Sequence, residues 1–339
     1  MSILDLISMT GFVGRRSLPP LVQIWRGACQ NAHPHRRQGW PLYNFRLKTH
    51  SPEKRPSFVS TQVAEARRYY LDLQPRPTRE ITVVCGGVER VRADYVVQRR
   101  TFPYYAVEFV AEGEGSLLLA GRRCRLRAGA VFAYGPRVPH TIRTEPGRPM
   151  LKYYVDFVGR RAKELLEGGP LEPGRFVQVS TPGEIREIFE ALQRNGGGES
   201  PFGPALCAAL IPVLLLKMAE RAVPAGGADP RALATYQRAR ALIDERFLEF
   251  KTLDEMARAA GVNLSYLCRL FQRFDHQTPY RHLLHLKMNR AAQLLLDRGM
   301  LVKEAAAELG FSDPFNFSRA FRSVFGLAPE KFLARTQRV

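Results

Sequence analysis

Two stretches near the C-terminal end carry the same spacing of apolar and polar positions. Leu253, Ala257 and Gly261, then Arg269, Phe271 and Pro279, return as Val302, Ala306 and Gly310, then Arg319, Phe321 and Pro329. Each copy predicts a short helix, a glycine-led turn and a second helix with arginine beside its apolar face, the layout of a helix-turn-helix. Thr252 and Glu255 form a capping box ahead of Leu253, Met256 and Ala257, and Gly261 suits the left-handed conformation that turns the chain. Over 263–274, Leu267, Leu270, Phe271 and Phe274 share one helical face, leaving Ser265, Tyr266, Cys268, Arg269, Gln272 and Arg273 outward or at the edges. In the second copy Leu301 stands where the first has Thr252, a capping deficit on the order of 1 kcal/mol. Ser312-Asp313-Pro314 opens the next helix well. Phe317, Phe321 and Phe325 face inward there, with Phe315, Asn316, Ser318, Arg319 and Arg322 outward.

Between the copies, Thr278-Pro279 starts a helix predicted to reach Asp297, with Leu284, Met288, Ala291 and Leu295 on one stripe. At about 1.5 Å per residue it is a rod of roughly 28 Å, against about 34 Å between successive major-groove faces of B-DNA. Such a rod would set two reading helices in neighbouring grooves, the mismatch taken up by tilt or by DNA bending. A helical bundle with a duplicated packing motif is the alternative.

From Val59 the pattern changes. Val63, Ala66 and Tyr70 predict a short helix. Apolar runs then recur at 81–85, 95–97, 105–110, 116–119, 131–134 and 151–157, punctuated by Gly86-Gly87, Gly113-Glu114-Gly115, Gly121, Gly129, Gly135-Pro136 and Pro146-Gly147. Short strands so spaced predict an antiparallel barrel or sandwich. Two helices follow: 183–195, with Ile185, Ile188, Phe189 and Leu192 aligned, and 204–221, with Leu206, Leu210, Val213, Leu214 and Met218 aligned. They either cover the barrel or face a partner. A helix over 236–250 opens the last domain.

Composition adjusts this picture modestly. The net charge of +19 divides into +7 over 1–60 (9 basic, 2 acidic), +6 over 61–231 (25 against 19) and +6 over 232–339 (17 against 11). Basicity so spread permits phosphate binding but singles out no domain. Cys29, Cys85, Cys124, Cys207 and Cys268 show no paired spacing, so neither a zinc site nor a disulfide framework is indicated, and a reducing cytoplasm fits. No apolar run approaches the ~20 residues of a membrane span; the run 206–216 contains Pro212. Residues 1–57 lack acid between Asp5 and Glu53 and lack a secretory apolar core, so a basic, poorly ordered extension is expected.

Ser265-Tyr266-Leu267-Cys268-Arg269-Leu270-Phe271, Thr278-Pro279, Met288-Asn289-Arg290-Ala291, Leu309-Gly310-Phe311-Ser312-Asp313 and Phe317-Ser318-Arg319-Ala320-Phe321 resemble the AraC/XylS-type transcription regulators. The resemblance implies that base-reading positions fall on Ser265, Cys268, Arg269 and Gln272, with Arg273 beside them, and on Asn316, Ser318, Arg319 and Arg322. Arg269 and Arg319 lead this set, because a guanidinium can donate two bonds to guanine; phosphate contact is the alternative role. Glu112-Gly113-Glu114-Gly115, Leu126 with Gly129, and Gly135-Pro136 with Pro139-His140 resemble the cupin-type sensing domain that precedes the DNA-binding part in many such regulators. His140 stands without the partner histidine of a metal-binding cupin, so no metal, cofactor or catalytic set is implied and the chain is not read as an enzyme.

The expected fold is therefore α+β and multidomain. It comprises an extension over 1–57, a cupin-like antiparallel β-barrel sensing domain over 58–180, a helical segment over 181–222 that the resemblance implies for dimerisation, a linker over 223–232, and an all-α DNA-binding domain over 233–339 with two helix-turn-helix modules. Tyr105, Glu108, Tyr134, His140 and Tyr153 are the candidate effector contacts, with a sugar as first choice of ligand class; strand alternation sends about half of such residues away from the interior. Expected partners are double-stranded DNA, a small-molecule effector, RNA polymerase and a second copy of the chain, with no membrane. A ligand-independent DNA-binding regulator and a cupin enzyme fused to a DNA-binding module are the alternatives.

Overall fold

A computed structural model describes residues 56, 58–76, 78–223 and 229–336. The extension expected over 1–57 lies almost wholly outside the described residues, as does the centre of the linker expected over 223–232.

The N-terminal part of the described chain holds two antiparallel sheets. Strands β1 (Val63–Tyr70), β2 (Thr82–Val91), β9 (Leu151–Val158), β4 (Tyr105–Glu112), β7 (Ala130–Tyr134), β10 (Phe176–Val179) and β11 (Ala222–Val223) lie side by side in one. The other has the order β3 (Val96–Arg99), β8 (His140–Thr144), β5 (Glu114–Leu119), β6 (Arg122–Arg127). Side chains alternate across the larger sheet. Ala106, Val110, Phe132 and Tyr134 face the smaller sheet and join Tyr95, Leu117, Leu126 and Ile142 in an inner core. Val107, Phe109, Val131, Tyr153, Val155 and Phe157 face the opposite way. There they meet α1 (Arg160–Leu166), α2 (Pro182–Gly196) and α3 (Gly203–Arg221) through Leu166, Ile185, Phe189, Leu192, Ile211, Leu214 and Met218.

Three expectations are corrected here. Residues 63–70 form an edge strand and not a helix: β1 pairs along β2 and buries Tyr69, while Tyr70 is exposed, so the spacing of Val63, Ala66 and Tyr70 was a coincidence of period. Gly86-Gly87 lies within β2 and is no turn; a Cβ on Gly86 would come within 2.3 Å of the Tyr69 hydroxyl, so glycine lets that ring cross the strand. Helix α3 extends to 19 residues, long and apolar enough to cross a membrane by length and composition, although the shorter run 206–216 had not suggested it. Its row Cys207, Ile211, Leu214 and Met218 sits in the core against the sheet.

The C-terminal part is all α: α4 (Pro230–Arg246), α5 (Leu253–Ala259), α6 (Leu264–Phe274), α7 (Pro279–Asp297), α8 (Val302–Glu308), α9 (Pro314–Phe325) and α10 (Pro329–Thr336). Helix α4 starts earlier than the 236–250 pattern predicted, because Asp229 accepts from the Arg231 N–H at 3.0 Å and Pro230 fits the first turn. Ala222 and Val223, expected at the edge of a linker, pair with β10, and the Val223 side chain enters the core of Leu233, Tyr236 and Phe271. One helix serves both modules: α7 gives Leu283 to that first core and Met288, Ala291, Leu294 and Leu295 to the second, around Ala306, Phe317 and Phe321.

Candidate functional site

The first outward surface is built on α6. Thr252 Oγ1 accepts from the Glu255 N–H and Glu255 Oε2 from the Thr252 N–H, each at 3.2 Å, which fixes the start of α5. Gly261, at φ +66°, takes the left-handed conformation that side-chain-bearing residues adopt only with strain, and so turns the chain. Asn263 Oδ1 then accepts from the Tyr266 N–H at 2.8 Å and starts α6. With Leu267, Leu270, Phe271 and Phe274 inward, Ser265, Arg269, Gln272 and Arg273 are exposed and Cys268 is half-buried. The Arg269 guanidinium lies 5.7 Å from the Tyr266 ring centroid, a cation–π contact that limits its swing.

The second surface repeats this on α9. Asp313 accepts from the N–H groups of Phe315 (2.9 Å) and Asn316 (3.3 Å). Phe317 and Phe321 are buried, Asn316, Arg319 and Arg322 exposed, and Ser318 half-buried. Arg319 donates to Asn316 Oδ1. The capping deficit at α8 is partly offset, since Glu304 Oε2 accepts from the Leu301 N–H at 3.0 Å. Two polar contacts from α7 hold the modules to it. Nε2 of His282 lies 2.5 Å from Asp244 Oδ1 on α4, and the buried Lys287 donates to the Leu309 carbonyl at 2.9 Å, closing the C-terminal end of α8. Burial pushes the Lys287 ammonium below its ordinary value, despite the attraction of Glu255.

The sensing interior separates the five effector candidates. Glu108, Tyr134 and His140 lie between the sheets; Tyr105 and Tyr153 do not, and sit on the helix-facing side with Phe157 and Phe189. Parity is the reason, because Tyr105 and Glu108 are three residues apart on β4 and point to opposite faces. Sequence reasoning missed Lys152 and Asp156, although charges at alternate places in the apolar run of β9 were the signal. Lys152 Nζ donates to Glu108 Oε2 at 3.0 Å and lies 3.3 Å from Glu89 Oε2. It also rests 5.4 and 5.2 Å from the ring centroids of Tyr95 and Tyr154.

Burial alone would push the Lys152 ammonium down, but Glu108, Tyr95 and Glu89 outweigh it and hold the group well above lysine's usual value. Burial likewise opposes ionisation of Glu108, yet Lys152 and the Tyr134 hydroxyl, which donates at 2.6 Å, keep its carboxyl below the ordinary range. Asp156, which accepts from the Cys85 thiol at 3.2 Å, is raised by burial to about 7. The His140 ring stacks 3.8 Å from Tyr134, and burial lowers its basicity. Asp156 Oδ1, Tyr154 Oη and His140 Nε2 are buried without a hydrogen-bond partner. The free space among Glu89, Glu108, Lys152 and Asp156 is about 20 Å³, room for about one water. Phe58 and Ser60 border it, their carbonyls accepting from Arg99 and Arg68. Among the described residues no group of three or more His, Cys, Asp or Glu side chains could hold a metal ion.

The two parts meet through a charged cluster. Asp275, the residue that ends α6, takes Arg221 of α3 at 2.7 Å, with Arg240 of α4 at 4.0 Å. Glu184 of α2 holds both arginines at 3.1 Å. Burial disfavours the Asp275 charge, but Gln277 and the arginines win and keep its carboxyl below the ordinary value.

Comparison with known proteins agrees with this division. Residues 84–215 match the AraC-like ligand binding domain, and residues 256–335 match a helix-turn-helix domain. The chain is 21% identical over 237 residues to the Msm operon regulatory protein of Streptococcus mutans, covering 69% of this chain and 85% of that one. It is 20% identical to the lactose operon transcription activator of Staphylococcus xylosus, covering 73% and 90%. It is 24% identical to the raffinose operon transcriptional regulatory protein of Pediococcus pentosaceus, covering 67% and 84%.

Proposed function

The chain is an AraC-type transcription regulator, a sequence-reading DNA-binding protein with a ligand-binding domain and not an enzyme, and from that premise we propose how it works. It binds two half-sites in neighbouring major grooves, α6 in one and α9 in the other. Ser265, Cys268, Arg269, Gln272 and Arg273 contact the first; Asn316, Ser318, Arg319 and Arg322 contact the second. The observation that carries this is the outward placement of arginine and small polar groups on two capped helices that share the rod α7.

Glu108, Tyr134 and His140, joined by Lys152, Tyr154 and Asp156, form the effector site. A carbohydrate suits buried acceptors beside aromatic faces, and the names of the lactose and raffinose operon relatives support that class. Binding opens the interior and shifts the balance of two conformations. The Arg221–Asp275–Arg240–Glu184 cluster carries that shift to the end of α6. The exposed side chains Phe202, Leu206, Val213 and Leu216 along α3 supply a dimer face. The dimer acts in the cytoplasm and brings RNA polymerase to the promoter.

One observation favours a second reading, a regulator that needs no ligand: Lys152 and its carboxylates leave the interior nearly full. Fluorescence anisotropy of the full chain on a duplex that it selects from a random library, against an unrelated duplex and with mono- and disaccharides added, tests both. Preference for the selected duplex, changed by one sugar, supports the proposal. Preference unchanged by every sugar supports the second reading, and no preference contradicts both.

A further inference from the structure

The two recognition helices correspond position by position: Cys268 with Ser318, Arg269 with Arg319, Gln272 with Arg322. At the same offset, Ser265 of the base-reading set corresponds to Phe315. That side chain is 80% exposed, at the second position of α9, beside Asn316 and one turn ahead of Arg319. Its partners within the chain do not explain it. Phe317 and Phe321 fill the core, while the Phe315 ring projects away from them into solvent.

The start of α9 is also unsuited to a phosphate. Free N–H groups at a helix start normally draw anions, but here both Asp313 oxygens accept from Phe315 and Asn316, and their charge repels a phosphate. What this end offers a duplex is an apolar ring flanked by an amide. On the base edges of the major groove the apolar group is the C5 methyl of thymine. Resting on the DNA-reading role given above, we propose that Phe315 reads a thymine methyl in the half-site of the second module.

The test uses the full chain and a duplex that it selects from a random library. Arg319→Ala marks the half-site of the second module, and each thymine there is replaced in turn by deoxyuridine, which removes only the methyl. Removing one methyl should weaken wild-type binding about fourfold at one or two positions and leave Phe315→Ala binding unchanged. Phe315→Ala should bind the selected duplex less tightly and an unrelated duplex as before; because the ring is exposed, the variant keeps its fold, which circular dichroism checks. Equal losses in both proteins, no sensitive thymine, or equal weakening on selected and unrelated duplexes would overturn the assignment. Should the wild-type chain select no duplex at all, the DNA-reading role itself falls with it.

Discussion

Replacing Asp275 by alanine removes the carboxylate at the end of α6, where the two parts of the described chain meet. Its side chain is 1% exposed and accepts from Arg221 at 2.7 Å and from Gln277 at 2.9 Å. Alanine leaves two arginines, 14% and 15% exposed, with Glu184 at 3.1 Å from both and the more distant Glu220 and Asp244, each at 3.8 Å, as counter-charges. Breaking a buried pair costs about 3–5 kcal/mol; Glu184, Glu220 and Asp244 keep both arginines partly compensated, which places the loss at or below the lower end, about 3 kcal/mol at most. Urea unfolding followed by circular dichroism reads this, and a double-mutant cycle with Arg221→Ala isolates the pair. The pH dependence has a definite sign. Asp275 is held below its unfolded value, so its contribution is complete above about pH 4 and disappears as pH falls through the folded pKa. The gap between wild type and Asp275→Asn should therefore be flat from neutrality to mild acid and close below it. A gap that persists in strong acid, or strictly additive energies in the cycle, would refute the reasoning.

Asp156 has the opposite sign. Burial raises it to about 7, so the folded chain keeps a proton that the unfolded chain releases from about pH 4 upward, and stability falls through that window by up to about 1.4 kcal/mol per pH unit. Asp156→Asn should remove that decline in melting temperature between mildly acidic and mildly alkaline buffer; parallel curves for the two proteins would contradict it. On α3, Val213→Glu should place charge in the proposed dimer face and shift sedimentation toward the monomer without loss of helicity. An unchanged association constant would remove α3 from the interface.

The helical part was legible because its signals are local. Caps at Thr252, Asn263 and Thr278 lie within three residues of the N–H groups that they satisfy, and the bounds of α7 follow directly from Thr278-Pro279 and its apolar stripe. Strands depend on partners far along the chain. Residues 63–70 were misread because only pairing with β2 makes them extended, and Gly86 resembled a turn until Tyr69 lay across it. Between the sheets, parity decides which candidates share the interior: Tyr105 and Tyr153 lie on the helix-facing side, and Lys152 and Asp156, not among the candidates, lie inside. Arg221 and Asp275 stand 54 residues apart, and no local pattern links them. Phe315 was visible on the outer face, but its equivalence to Ser265 gained meaning only with its exposure.

Two reading helices on one rod are the central claim, and the affinity of Arg269→Ala and Arg319→Ala for duplexes altered in one half-site at a time tests it most directly. Each substitution should cost about 1–3 kcal/mol on the selected duplex, leave unrelated duplex unaffected, and abolish sensitivity to base changes at the one or two positions that arginine reads, all within its own half-site. Equal losses on selected and unrelated DNA, or both arginines reporting the same half-site, would contradict the account.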